Sequence, residues 1–333
     1  MSVVETSMDP TAADRVEQMT RAAEEVDGVA PLGEQPLRAL RAPSAQVRHF
    51  VVAATGAGTP PGAGTPPGAG TPSAAGAVDE AAGYAQLTGS GAEATAELVV
   101  HPDHRRRGLG TALVRAVTDA EPAVAVWAHG DLPSARALAD ELGLARTREL
   151  LKMRRRAVNG PALPEPRTTE GIETGTLADA ASEGGRRWPG LDARDEFLRV
   201  NNAAFSWHPE QGGWSRDQLD ERLAVDWVDP AGVFLAVDVT GSRPRLAGFH
   251  WTKTVAEPGR PVEGEVYVVG VDPADQGRGL GGLLTALGVG HLEGSVGADS
   301  VVLYVEGDNT PAIRTYERLG FAVEHRDVTY ASR

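Results

Sequence analysis

Residues 265–284 read EVYVVGVDPADQGRGLGGLL, and residues 97–117 read ELVVHPDHRRRGLGTALVRAV. Each begins with a β-branched run, passes through a proline, and reaches an Arg-Gly-Leu-Gly kernel that opens an apolar helical pattern. The two kernels stand at a constant offset of 171 residues. Strand, glycine-rich turn and helix is an α/β unit, and its recurrence predicts a chain built by duplication of a whole α/β domain.

The flanking segments support this reading. After the first copy, VAVWAHGD (residues 124–131) reads as a strand and LPSARALADELGL (132–144) as a helix. After the second, SVVLYVEGDNTPAIRTYERLGF (300–321) repeats strand and helix. The offset grows to 177 at Gly143 and Gly320, which a six-residue insertion explains. In the last helix Thr310 can cap, Pro311 suits the first helical position and Gly320 can end it. Ser215 and Gln218 have capping-box spacing. GVFLAVDV, RLAGFHWTK and GEVYVVGV read as consecutive antiparallel strands.

Two stretches interrupt the pattern. Residues 56–73 repeat Gly, Ala, Thr and Pro between the strand-like VRHFVVAA and AAGYAQLT, as an expanded hairpin loop would. Residues 158–170 carry three prolines and no period, which marks a linker. The expected organisation is a domain over 1–157 with the insert at 56–73, the linker 158–170, and a second domain over 171–333.

Composition narrows the function. The 333 residues carry a net charge of −14, which argues against general nucleic-acid binding. There is no cysteine, which excludes disulfides, cysteine-ligated zinc and a cysteine nucleophile. The N-terminus lacks the apolar core of a signal peptide, and no apolar run reaches membrane-spanning length. A cytoplasmic protein, taken as a monomer without nucleic-acid or membrane partners, is the expectation. His101, His104, His208 and His250 form no metal spacing and read as surface or strand residues, so no metal is expected. The Arg-Arg-Arg run at 154–156 reads as solvated.

A strand running into a glycine-rich turn and a helix presents free amides and the positive helix end, which favour an anion. Gly279 and Gly281, like Gly108 and Gly110, allow a phosphate close to the backbone, and Arg107 and Arg278 add charge. The ligand is open among a nucleoside triphosphate, a dinucleotide and coenzyme A. The Gly-Lys-Ser/Thr ending of a P-loop is missing. Gly277, Gly279 and Gly282 match the dinucleotide spacing, but Arg106 and Thr111 break it in the first copy.

VGVDPADQGRGLGGLL resembles the Gln/Arg-x-x-Gly-x-Gly/Ala segment of the GCN5-related N-acetyltransferases, and YVEGDNTPAIRTYERLGF resembles the segment that follows it in that family. The resemblance implies a mixed-sheet α/β fold and acetyl-CoA as co-substrate. Its pyrophosphate would lie on Gln276, Gly277, Arg278, Gly279, Leu280, Gly281 and Gly282, and its pantetheine arm along Val269, Gly270 and Val271. Asn309, Thr310, Pro311, Ala312, Ile313 and Arg314 would complete the site. The first copy implies a second cofactor site at Leu98, Val99, Val100, Arg106, Arg107, Gly108, Leu109, Gly110 and Thr111.

The resemblance is closer to tandem members of that family. PLGEQPLRAL, RVNNAAFSWHPEQGGW, GFHWTK and LYVEGDN carry it across nearly the whole chain. Those members acetylate the cysteinyl amine of a cysteinyl-glucosaminyl-inositol. The resemblance then assigns Glu34, Glu210, Lys253, Glu265 and Tyr304 to this small polar amine, with Glu34 supplied by the first half.

Acetyl transfer needs a neutral amine, a donor for the oxyanion and a proton for the departing thiolate. Glu265 is the expected base and Tyr316 the expected acid. Alternation along a strand puts Glu265 on one face with Tyr267 and Val269. At the two offsets Glu265 falls on Ala94 and Tyr316 on Ala139, so the first half is expected to bind acetyl-CoA without transferring it. Acetylation of another amine and non-catalytic binding of acetyl-CoA are the competing functions.

Overall fold

The structure, a computed structural model of the chain, describes residues 2–42, 44–53, 81–181, 187–206, 211–255, 259 and 261–332. The insert at 56–73 and Glu210 lie outside these residues. The chain forms two compact units, one of Met1–Leu150 with His325–Arg333 and one of Leu151–Glu324.

The first unit contains β1 (Val3–Thr6), α1 (Pro10–Asp27), α2 (Glu34–Ala39), β2 (Val47–Ala53), β3 (Ala81–Thr88), β4 (Thr95–Val100), α3 (Leu109–Ala120), β5 (Ala125–Ala128) and α4 (Pro133–Leu142). The long strand β6 (Ala145–Arg156) begins in it. Its strands run β1-β2-β3-β4-β5 and continue into the final strand of the chain. β2 and β3 are antiparallel, so the segments on either side of the insert do form a hairpin. Asp9 opens α1 by accepting from the Ala12 amide at 2.8 Å, and Gly28, at φ 72°, closes it. The sheet is covered on both faces. Val16, Met19 and Ala23 of α1 pack on Val51, Tyr84 and Val99, while Leu113 and Val117 of α3 pack on Val52, Ala85 and Ala96.

The second unit holds the rest of β6, then β7 (Ile172–Thr176), α5 (Leu177–Ala181), α6 (Ala193–Ala204), α7 (Arg216–Leu223), β8 (Val233–Asp238), β9 (Arg245–Val255), β10 (Glu263–Val271), α8 (Leu280–His291), β11 (Ser300–Glu306) and α9 (Thr310–Arg318). The final strand β12 (Ala322–Ala331) starts here and passes to the first unit at His325. The strand order is β6-β11-β10-β9-β8-β7. β8, β9 and β10 are antiparallel neighbours, as their sequences predict, and β10 runs parallel to β11. One apolar layer joins α6 to Phe249, Trp251 and Val268. The opposite one joins α8 to Val266, Val301 and Leu303.

The caps show where local reading succeeds. The Ser215–Gln218 capping box forms in full. In α9 the cap is Asn309 rather than Thr310, because the Asn309 Oδ1 accepts from the Ala312 amide at 3.2 Å. Thr310 is the first helical residue.

Candidate active site

The second glycine turn leaves β10 through a short 3-10 turn, Pro273–Asp275. Gly277 (φ 80°) and Gly279 (φ 81°) are left-handed, which is the steric reason for glycine at both. Gly279 is the N-cap of α8 and has no side chain with which to bond the first-turn amides. A β-carbon at Gly277, Gly279 or Gly281 would meet nothing within 4 Å, so the turn has open space before a free helix start. That arrangement suits a pyrophosphate. The Arg278 guanidinium braces the turn: it donates to Asp275 Oδ1 at 2.5 Å and to Asp238 Oδ2 at 3.0 Å. Hydrogen bonds from Thr240 and then Arg278 hold the Asp238 carboxyl down to about 2.

The first turn has the same backbone course, with Arg106 (φ 62°) standing where the second has Gly277 and Gly108 (φ 75°) where it has Gly279. Gly108 caps α3 without a side-chain bond. Arg105 anchors this turn through two bonds to Asp27, at 2.8 and 2.7 Å. Arg107 turns back on its own loop, donating to the Asp103 carbonyl at 3.0 Å. The space differs. A β-carbon on Gly110 would lie 3.3 Å from Leu138 of α4, whereas the matching Gly281 faces open space.

Pairing between β10 and β11 is confined to Glu263–Glu265 against Ser300–Val302. Past that point the backbone of Val269–Val271 is not laddered to β11 and is available to an extended arm. The first unit repeats this, with only Thr95 and Ala96 paired to Ala125 and Val126.

A β-bulge separates the two ends of β10. Val266 pairs with Thr252 and Val268 with Trp251, which leaves Tyr267 as the extra residue. The bulge corrects two expectations. Glu265 does not share a packing face with Val269: Val268 joins the α6 layer, while Val266 and Val269 join the α8 layer. Nor does Ala94 correspond to Glu265. Val302 pairs with Glu265, and the matching Ala125 pairs with Thr95. β4 has no bulge, so its register there is one residue ahead.

The bulge gathers a polar and aromatic cluster. The Lys253 Nζ lies 3.7 Å from Glu265 Oε2, and both side chains are largely buried. The ammonium also sits 5.6 Å from the Trp227 ring and 5.7 Å from the Tyr267 ring, within cation–π range. Tyr267 meets Trp227 edge-on at 5.1 Å and Trp251 at 5.6 Å. Tyr304, on β11, is exposed. Tyr316, on α9, packs edge-on against Phe321 at 6.0 Å, and burial pushes its hydroxyl up to about 12. It is therefore a protonated donor at neutral pH. Glu34 is the first residue of α2, in the first unit, and bonds Arg38 at 2.5 Å.

Sequence reasoning missed Trp227, Tyr267 and Arg155. No periodicity signals a bulge residue, and Arg155 sits in the arginine run read as solvated. That reading is wrong for Arg155, which is 2% exposed. Burying a guanidinium requires partners, and it has them in Glu293 and the carbonyls of Leu319 and Pro161. His250 is also fully buried, its Nδ1–H donating to the Leu284 carbonyl at 2.8 Å, and burial pulls it down to about 4. Among the described residues no group of three or more His, Asp or Glu could hold a metal. No helix among them is long and apolar enough to cross a membrane.

Known proteins are similar to this chain across nearly its whole length. Residues 198–321 match the family model of the acetyltransferase (GNAT) family, and residues 74–142 match that of an acetyltransferase (GNAT) domain. The chain is 46% identical to a mycothiol acetyltransferase of Nocardia farcinica, over 98% of this chain and 95% of that protein. It is 45% identical to one of Mycolicibacterium gilvum, over 98% and 96%. Among solved structures, a GCN5-related N-acetyltransferase from Sphaerobacter thermophilus superimposes with a TM-score of 0.66 at 23% identity, covering 98% of this chain and 94% of that one. A tandem GNAT protein of the clavulanic acid biosynthesis pathway gives 0.59 at 18% identity, covering 99% and 97%.

Proposed function

Since this chain belongs to the mycothiol acetyltransferases and carries two acetyltransferase (GNAT) domains, we propose that it moves the acetyl group of acetyl-CoA onto an amine. The acceptor is the cysteinyl amine of 1D-myo-inositol 2-(L-cysteinylamino)-2-deoxy-glucopyranoside (desacetylmycothiol). The products are mycothiol and CoA. The observation that carries the reading is the Lys253–Glu265 pair beside the β10 bulge, in the half with both an open anion turn and Tyr316.

On this reading Gln276–Gly282 hold the pyrophosphate through turn amides and the start of α8. Val269–Val271 pair with the pantetheine arm, and Asn309–Arg314 complete the cofactor site. Glu265 removes a proton from the acceptor ammonium. The neutral amine attacks the thioester carbon, and a backbone amide of the β10 segment stabilises the oxyanion. The C–S bond then breaks, and Tyr316 gives its proton to the departing thiolate. Lys253 and Tyr304 contact the acceptor, and Glu34 and Glu210 are further acceptor ligands. The first unit binds acetyl-CoA at Leu98–Val100 and Arg106–Thr111 without turnover, since Ala139 stands where Tyr316 does. The enzyme acts as a cytoplasmic monomer, without a metal, nucleic acid or membrane.

The test is CoA thiol release from acetyl-CoA with desacetylmycothiol and with a panel of other amines. Turnover on desacetylmycothiol above the panel is expected. Turnover on the panel without turnover on desacetylmycothiol sinks the reading.

A further inference from the structure

Arg155 is among the most buried charged side chains of the second unit, at 2% exposure. Its Nε donates to Glu293 Oε1 at 2.7 Å, and its Nη2 lies 3.4 Å from Glu293 Oε2. Nη2 also donates to the Pro161 carbonyl at 2.6 Å, and Nη1 to the Leu319 carbonyl at 2.7 Å. These three partners belong to different parts of the site. Glu293 lies in Leu292–Val296, the turn that continues α8 at the end opposite the anion turn. Leu319 caps the C-terminal end of α9, which carries Tyr316. The link to Tyr316 is short, because the Leu319 and Phe321 amides both donate to the Tyr316 carbonyl at 3.0 Å. Pro161 belongs to the proline-rich connecting segment.

One guanidinium therefore ties the helix that starts at the anion turn to the helix that carries the proton donor. Its planar fork has five N–H donors in fixed directions, which sets geometry as well as charge. It answers a carbonyl that a helix end leaves unpaired and complements the negative helix end. The fit is close: a β-carbon on Gly320 would fall 2.4 Å from Arg155 Nη1 and 2.6 Å from Pro161 Cγ.

The duplication provides an internal comparison. At the matching Gly143, a β-carbon would meet nothing within 4 Å, so among the described residues nothing packs on this glycine as Arg155 packs on Gly320. α4 also has Ala139 in place of the tyrosine. Close packing on the helix-ending glycine and the tyrosine occur together in one half, and neither is found in the other among the described residues.

We propose that Arg155 is a positioning residue for the acetyl transfer, holding Tyr316 in register with the cofactor-binding helix. The proposal rests on the reading of Tyr316 as the general acid. Arg155 touches no reacting atom and acts through the Leu319 and Glu293 contacts.

The test is a double-mutant cycle on the full chain, with Arg155→Lys, Tyr316→Phe and the pair, measured as kcat and as KM for acetyl-CoA. Lysine keeps the charge and loses the fork. A displaced catalytic group costs rate steeply, so Arg155→Lys is expected to lower kcat by about 10-fold or more. In the Tyr316→Phe background its effect should shrink to within about two-fold, because the two residues act as a unit. Equal losses in both backgrounds, or no loss in Arg155→Lys alone, overturn the positioning role while leaving the acid reading intact. A Tyr316→Phe enzyme with unchanged kcat overturns the acid reading and the proposal with it. If Arg155→Lys does not fold, as judged by its thermal melt, Glu293→Gln takes its place in the cycle with the same expected outcomes.

Discussion

The Lys253 ammonium stands 3.7 Å from the Glu265 carboxylate, and the same ammonium faces the rings of Trp227 and Tyr267. In the proposed mechanism this carboxylate, held by a cation that two aromatic rings also face, meets a second cation, the incoming ammonium. Glu265→Gln should lower kcat/KM for the acceptor by about 10²-fold or more at neutral pH, the usual scale for loss of a general base. The deficit should shrink as pH rises past about 8, where an α-amine loses its proton unaided. A pH series of steady-state rates checks this, and a deficit constant from pH 7 to 9 contradicts the role.

In the proposed mechanism Tyr316 supplies the complementary step. Burial pushes its hydroxyl up to about 12, so it stays protonated through the neutral and mildly alkaline range. Tyr316→Phe should lower kcat by about 10²-fold, within the range for a lost proton donor, while acetyl-CoA binding by calorimetry stays unchanged. The wild-type enzyme should show no alkaline fall in kcat from this residue below about pH 10. A fall centred near pH 8 that disappears in Tyr316→Phe would contradict the raised pKa, and an unchanged kcat in Tyr316→Phe would contradict the acid role.

Gly279 is left-handed at φ 81°, and its β-carbon position is open. Gly279→Ala therefore meets no neighbour, and its cost is confined to the backbone, about 1–2 kcal/mol. Relaxation of the turn should move the amides proposed to receive the pyrophosphate and raise KM for acetyl-CoA by about 10-fold, one such increment. Initial rates against acetyl-CoA concentration measure it. Loss of stability without a change in KM would remove the turn from the cofactor site.

The first unit carries a pH signature of its own. His129 lies between Asp327, 3.4 Å from its Nδ1, and Glu97, 3.2 Å from its Nε2. Burial alone pulls the imidazole down, but the Asp327 and Glu97 carboxylates outweigh it and push it up to about 10 from 6.5. A raised pKa means that the folded state holds the proton more tightly. The stabilisation is complete below pH 6.5 and fades as pH climbs through about 10. Denaturant melts from pH 6 to 10 should show this decline, and His129→Gln should flatten it. An unchanged slope in the variant would assign the decline to other groups.

The duplicated glycine turn was legible because its chemistry is local: the left-handed position before each helix is a glycine, Gly108 or Gly279, and a helix start needs no tertiary context. The hairpin around the insert and the Ser215–Gln218 box were legible for the same reason. The bulge at Tyr267 was not, because VYVVGV reads as unbroken alternation and the extra residue is fixed by cross-strand register. Arg155 was misread for a related reason. Charge predicts exposure unless tertiary partners exist, and Glu293, Leu319 and Pro161 are distant from one another in sequence. At Asn309 and Thr310 two adjacent residues both had capping chemistry, and only the backbone course chose between them.

The return of His325–Arg333 to the first unit makes that unit discontinuous in sequence. Asp327, which holds His129 and also accepts from the Gly130 amide at 2.8 Å, meets that amide across 197 residues. The first unit therefore closes over a long loop, and the entropy of that closure is part of what its contacts must repay. Loosening the segment at 325–332 would be felt at His129 and Gly130, far away in sequence, before it was felt at its own chain neighbours.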